Sequence, residues 1–262
     1  MTTTLDPFPS HFNDTWRAFD GIHGGMVLAA MLRAAADETG AVPAAATAHF
    51  YAPVRPGPIE PTVQLMQAGR SPAARVSFGT AATALIRLSR GGAMAEHSPS
   101  VETVADPSDL AQLTIPIDFV PFSQHLDIRP IGATRPFAGG QNPEFDVWIR
   151  LRPGLNFKGD EQAAILLDAL PPGLFAMRTV PVPIPTVEFT AHFAPASNSA
   201  TGPWHRLRHR TVWWTSEECV DETELFTADG ELAAQARQLR RILNGPKSSS
   251  TPTSRDRDMR AA

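Results

Sequence analysis

The chain has 262 residues, a hydrophobic fraction of 42%, a charged fraction of 19% and a formal net charge of −4. These are globular values, with length for two units of roughly 100–150 residues each, and they give no electrostatic reason to expect nucleic acid or an anionic membrane as partner. The single cysteine, Cys219, excludes an internal disulfide and a cysteine-rich metal site; the start, Met1-Thr2-Thr3-Thr4-Leu5-Asp6-Pro7, lacks the basic and apolar regions of a signal peptide, and no apolar run is long enough to span a bilayer. A cytoplasmic protein is expected.

Residues 13–19 read as a short strand and Asp20-Gly21-Ile22-His23-Gly24-Gly25 as a flexible turn. From Met26 to Ala36 the chain is apolar except for Arg33, rich in helix formers and free of Gly and Pro, which predicts a helix buried on most sides and closed by Asp37, Glu38 and Gly40. Strand signals follow at 45–53, at Thr62–Met66, at Arg75–Phe78 after a Gly69-Arg70-Ser71-Pro72 hairpin turn, and at Ala84–Leu88 with Ala93–His97 as a further antiparallel pair. One helix followed by several antiparallel strands is an α+β unit with the helix on one sheet face.

Residues 100–118 are polar and read as a connector, after which the plan repeats. Glu144–Leu151 is a strand turned by Arg152-Pro153-Gly154. Asp160–Leu170 is a helix with Asp160 as its N-cap, stopped by Pro171-Pro172. Strands at 186–194, 205–215, 220–227 and 231–242 complete the set, the last two joined through Asp229-Gly230. Beyond Gly245 the chain is polar and aperiodic, so 246–262 reads as a disordered tail.

A repeated tetrapeptide ties the two halves together. Thr47-Ala48-His49-Phe50 returns 143 positions later as Thr190-Ala191-His192-Phe193, each copy about two dozen residues after an apolar helical stretch. The economical reading is two copies of one helix-then-sheet unit: 10–101, a connector at 102–118, and 119–243.

The His23-Gly24-Gly25 turn before a buried helix, the paired Thr-Ala-His-Phe strands, the helix-borne Asp168 and Gln238 in the last strand together resemble the acyl-CoA thioesterase II family and its thioesterase-like relatives. The resemblance covers roughly residues 10–243. It implies a double hotdog, an α+β fold of two tandem antiparallel sheets each wrapping a central helix and joined side by side. It also implies hydrolysis of an acyl-CoA to free acid and CoA, with no cofactor and no metal, and a homo-oligomer. In that family an Asp, a Thr and a Gln of the second unit hold the hydrolytic water, and they fall here on Asp168, Thr186 and Gln238. Two stretches depart from the family: Glu188-Phe189-Thr190-Ala191-His192 replaces Asp-His and an aromatic cluster, and Gln238-Leu239-Arg240 replaces Gln-Glu-Gly.

A carboxylate can take a proton from water while a hydroxyl and an amide hold its other hydrogen-bonding directions, so Asp168, Thr186 and Gln238 form a suitable set. Individually each has a plainer reading. Glu161, seven residues before Asp168, would share its stripe, so both could face solvent. Thr186 and Gln238 could be ordinary strand residues. His23, Gly24 and Gly25 are assigned to substrate binding, because amides at a helix N-terminus can meet a developing oxyanion. No carboxylate follows them until Asp37, so the first unit looks catalytically incomplete and is expected to shape the acyl pocket. Arg206, Arg208 and Arg210 line one strand face, either as a phosphate contact or as a solvated surface. His49 and His192 read as packing residues. Two alternatives stand beside hydrolysis: a non-catalytic acyl-thioester binding protein of the same fold, and a hotdog enoyl-CoA hydratase drawing on Asp20 and His23.

Overall fold

A computed structural model describes residues 8–91, 95–102, 104–198 and 202–243. The expected tail at 246–262 lies outside the described residues, as do Ala93 and Met94 of the strand expected at 93–97; Ala95–His97 form no strand. The helices are α1 (Gly24–Thr39) and α2 (Gly159–Leu167). Ten strands build the main sheet: β1 (Val42–Phe50), β2 (Thr62–Gln67), β3 (Ala73–Phe78), β4 (Ala82–Ser89), β5 (Leu126–Pro130), β6 (Glu144–Leu151), β7 (Thr186–Phe193), β8 (His205–Trp214), β9 (Glu218–Thr227) and β10 (Leu232–Arg241). Their spatial order is β2-β3-β4-β1-β7-β10-β9-β8-β6-β5, antiparallel throughout. This is the α+β double hotdog.

The repeated tetrapeptides meet at the middle of the sheet. β1 and β7 pair with Thr47 opposite Thr190, Ala48 opposite Phe189 and Ala46 opposite Ala191. The Thr190 hydroxyl donates to the Thr47 hydroxyl at 3.1 Å. A local two-fold relation between the halves therefore passes through this threonine pair. His49 and His192 are exposed on the outer face of the sheet rather than packed, because strand alternation sends them opposite to the buried Ala48, Ala191 and Phe193.

On the other face, α1 lies on β1–β4 and α2 on β6, β7, β9 and β10, and the two helices contact each other. Met26 through Leu32 are all buried because α1 has sheet on one side and α2 on another. Each fully buried side chain such as Leu28 or Leu32 contributes about 1.5–3 kcal/mol. No helix among the described residues is long and apolar enough to cross a membrane.

Several local expectations are revised. Residues 13–19 are a short 3-10 turn at Asp14–Trp16, whose Asn13 side chain accepts from the Thr15 amide, followed by a two-residue strand at Arg17–Ala18. A side chain that bonds its own backbone competes with a ladder. The first helix begins at Gly24, not Met26, because the His23 side chain caps it by accepting from the Met26 amide at 3.2 Å. The second helix is capped by Lys158 rather than Asp160 and ends at Leu167, which leaves Asp168 as its C-cap. β4 pairs with β1 and β3, and among the described residues not with 95–97.

Glu161 does not face solvent. It is 1% exposed, it accepts from Arg33 of α1 at 2.5 and 2.9 Å, and it accepts from the Lys158 amide at 2.9 Å. The arginine that interrupts the apolar run of α1 is thus the partner of a buried carboxylate on α2. Arg33→Met is expected to lower the unfolding free energy by about 3 kcal/mol by leaving that carboxylate unpaired. Arg33→Met/Glu161→Met, which removes both charges, is expected to cost less, and urea denaturation of the two variants measures the difference.

Candidate active site

Three elements of the second half converge at the end of α2. Asp168 sits where the helix stops, Thr186 opens β7, and Gln238 lies on the buried face of β10. The Gln238 amide Nε2 donates to Asp168 Oδ1 at 2.6 Å and reaches Thr186 Oγ1 at 3.5 Å. Thr186 arrives there through an irregularity. The β7–β10 register shifts between Thr186 and Glu188. Regular alternation would put Thr186 on the outer face with Thr190, whose hydroxyl meets Thr47; the shift turns it inward to Gln238.

The first half supplies the opposite wall. α1 and α2 run antiparallel, so the start of α1 meets the end of α2: Gly25 N–H donates to Asp168 Oδ2 at 2.9 Å. A carboxylate at a helix C-terminus is electrostatically disfavoured, and the positive end of α1 offsets that. His23 is buried, stacked on Phe122 with ring centroids 4.1 Å apart. Its Nδ1 accepts from the Met26 amide, and its Nε2 is 2.9 Å from the Asp168 carbonyl oxygen and 3.4 Å from Asp168 Oδ2. With Nδ1 an acceptor and a carbonyl facing Nε2, the ring is neutral with its proton on Nε2. Burial pushes its pKa below the ordinary value, against the opposing charge of Asp168.

Close approach explains the glycines. A Cβ on Gly25 would lie 2.5 Å from the Ala164 carbonyl oxygen and 2.9 Å from Ile165 Cα; one on Gly24 would lie 2.9 Å from Asp168 Oδ2. The His23-Gly24-Gly25 turn of the first unit thus holds the carboxylate of the second.

Two family models match the chain: one described as the acyl-CoA thioesterase N-terminal domain over residues 12–88, the other as the acyl-CoA thioesterase C-terminal domain over residues 96–242. The chain belongs to the acyl-CoA thioesterase family. Among solved structures it is similar to a conserved hotdog-fold protein of unknown function from Alicyclobacillus acidocaldarius (22% identity, TM-score 0.77, 90% of this chain and 92% of that one). It is also similar to a putative thioesterase II from Thermobifida fusca YX (17%, 0.75, 92% and 95%) and to the acyl-CoA thioesterase II TesB2 from Mycobacterium marinum (15%, 0.64, 85% and 89%). At these identities the structural likeness speaks for the fold. No curated protein sequence is significantly similar to the chain.

Behind Gln238, this member of the acyl-CoA thioesterase family carries a buried polar cluster that the sequence reading did not assign. Arg240 Nη2 donates to Gln238 Oε1 at 2.7 Å and lies 3.8 Å from Asp168 Oδ1. Arg240 Nε is 2.7 Å from Asp221 Oδ2. Asp221 Oδ1 accepts from Thr211 Oγ1 at 2.6 Å, and Thr211 Oγ1 accepts from the Leu174 amide at 2.7 Å. His209 stands 3.6 Å from Asp221 Oδ2 and bonds Thr223 through Nδ1 at 2.8 Å. One signal was available: Arg240 follows Gln238 by two in a strand, so both share its buried face.

Other candidates lie elsewhere. Asp20 is exposed, unlike the buried His23, and the two do not form an acid–base pair. Arg206, Arg208 and Arg210 pair with Asp146, Glu224 and Glu222 on the sheet face away from Asp168. The Cys219 thiol is buried and pushed up to about 12 by burial, which excludes it as a nucleophile at neutral pH.

Gly25→Ala is expected to lower stability by about 1–3 kcal/mol, from the clash with α2, as read by thermal or urea unfolding. Burial lowers His205 and His209 to about 4 from an ordinary 6.5. The unfolded chain thus takes up protons near pH 6.5 that the folded chain refuses until about pH 4. Stability is therefore expected to fall by roughly 3 kcal/mol per histidine across that window as pH drops, and not to fall further from these groups below it. His209→Gln is expected to flatten that dependence in urea titrations at pH 7, 5.5 and 4.5.

Proposed function

We propose that this chain hydrolyses a fatty acyl-CoA thioester to the free acid and CoA, with Asp168 as the base and Thr186 and Gln238 holding the attacking water. The observation that carries this reading is the Gln238 amide bridging the Asp168 carboxylate and the Thr186 hydroxyl. A carboxylate, a hydroxyl and an amide from three separate elements supply the acceptor and the orienting groups that one water needs. Water attacks the thioester carbonyl carbon as its proton passes to Asp168. The tetrahedral oxyanion forms at the start of α1, and collapse expels the CoA thiolate, which takes the proton back from Asp168. With the Gly25 amide engaged by Asp168 and the Met26 amide by His23, the Gly24 N–H is the donor of that turn assigned to the oxyanion.

The distance of 3.4 Å between His23 and Asp168 invites a second reading, hydration of an enoyl thioester by a histidine–carboxylate pair. Both ring nitrogens of His23 are already committed, one to the Met26 amide and one to the Asp168 carbonyl, so the ring has no nitrogen to move a proton with. Hydrolysis is the better fit.

The test is thiol release from acyl-CoAs of short to long chain, comparing the wild type with Asp168→Asn, which keeps the size of the side chain. Loss of at least about a hundredfold in kcat with an unchanged fold supports the assignment. Full activity in the variant would overturn it. Tight acyl-CoA binding without release in the wild type would make the chain a non-catalytic binding protein, and hydration of an enoyl-CoA would select the second reading.

A further inference from the structure

A glutamine that holds water must be fixed in orientation, because its amide is symmetrical in shape and opposite in chemistry at its two ends. Turned by half a rotation, it would present an acceptor to Asp168, where a donor is needed. Asp168 alone does not prevent this: as a carboxylate it accepts from Nε2, but once it has taken a proton it can donate to Oε1 just as well. Something else must hold the amide through the cycle.

We propose that Arg240 is the positioning residue for Gln238, locking its side-chain amide with Nε2 toward Asp168 and Thr186. A guanidinium only donates and stays charged, so the atom 2.7 Å from Arg240 Nη2 must be the glutamine oxygen, whichever protonation state Asp168 is in. Arg240 is itself immobilised: its side chain is 7% exposed, and its Nε lies 2.7 Å from the fully buried Asp221. Asp221 is tied in turn to Thr211, and Thr211 to the Leu174 amide in the turn that follows Asp168. The contacts thus close a ring, from Asp168 along the chain to Leu174 and back through Thr211, Asp221, Arg240 and Gln238. A reacting group held by such a shell keeps its geometry; one left to rotate does not. The proposal rests on Gln238 serving the site described above, but the lock on its amide is a property of the folded protein and can be read without substrate.

Arg240→Met alone would strand the Asp221 carboxylate, so the informative variant is Asp221→Asn/Arg240→Met, which removes both charges, with Arg240→Lys as the conservative counterpart that keeps one cationic donor. Two readouts are taken on the full chain. Glutamine side-chain amides labelled with nitrogen-15 report the Gln238 NH2 pair, identified by its disappearance in Gln238→Glu. The expectation is a slowly exchanging pair in the wild type, exchange faster by about tenfold in the double variant, and an intermediate rate in Arg240→Lys. Thiol release is expected to lose about a hundredfold in kcat in the double variant, the scale of a misplaced reacting group, with KM within about twofold and partial recovery in Arg240→Lys. Unchanged Gln238 exchange in the folded double variant overturns the proposal, as does a wild-type kcat in it. A protein that releases no thiol from any acyl-CoA, yet shows the exchange change, keeps the Arg240 lock and removes the thioesterase reading instead.

Discussion

The antiparallel pairing of β1 with β7, centred on Thr47 and Thr190, is the constraint on which the molecule's functional geometry depends. It joins two sheets that would otherwise each end in an open edge, a row of unpaired backbone groups. It also fixes both helices on the same face of one sheet and related by a local two-fold, so that they run antiparallel. Only in that arrangement does the N-terminus of α1 come against the C-terminus of α2, where Gly25 N–H meets Asp168. Neither half contains the whole candidate site.

The halves have diverged around that seam. α1 has sixteen residues and brings amide donors and a neutral histidine; α2 has nine and brings the carboxylate at its terminus. The shortness of α2 matters, because it leaves Asp168 as a C-cap whose side chain can turn toward the other half. Midway along the helices a second cross-contact, Arg33 with Glu161, joins the same two elements with a buried ion pair. The apolar contacts supply most of the attraction between the units, while these polar contacts select one alignment of the helices.

The core beneath the candidate site is costly in free energy. Asp221, Arg240, His209 and Gln238 are all buried in the second half, where a hydrophobic set of similar volume would serve stability as well or better. Apart from the bond of His209 to Thr223, the connections of that cluster run toward Gln238 or toward the turn after Asp168. Arg240 is therefore the residue around which the cluster is organised. The outer face of the sheet shows the contrast: Arg206, Arg208 and Arg210 are balanced there by nearby carboxylates at a surface.

The amino-acid sequence alone determined the two-unit plan, a buried helix over Met26–Ala36 and most of the main-sheet strands to within a few residues, though not the strand at Leu126–Pro130, because apolar periodicity and turn chemistry are local properties. The family resemblance singled out Asp168, Thr186 and Gln238, which the fold brings together. Where local signals compete it said less: the cap formed by His23 and the 3-10 turn at Asp14–Trp16 each turn on one side-chain contact. The inward turn of Thr186 was not legible at all, since a register shift against β10 is invisible in β7 itself. That Glu161 is buried against Arg33, that Gly25 holds Asp168 and that Arg240 holds Gln238 were decided only by the tertiary structure. Glu161 and Arg33 lie 128 positions apart, as Gly25 and Asp168 lie 143 apart, and only the folded sheet brings them within hydrogen-bonding reach.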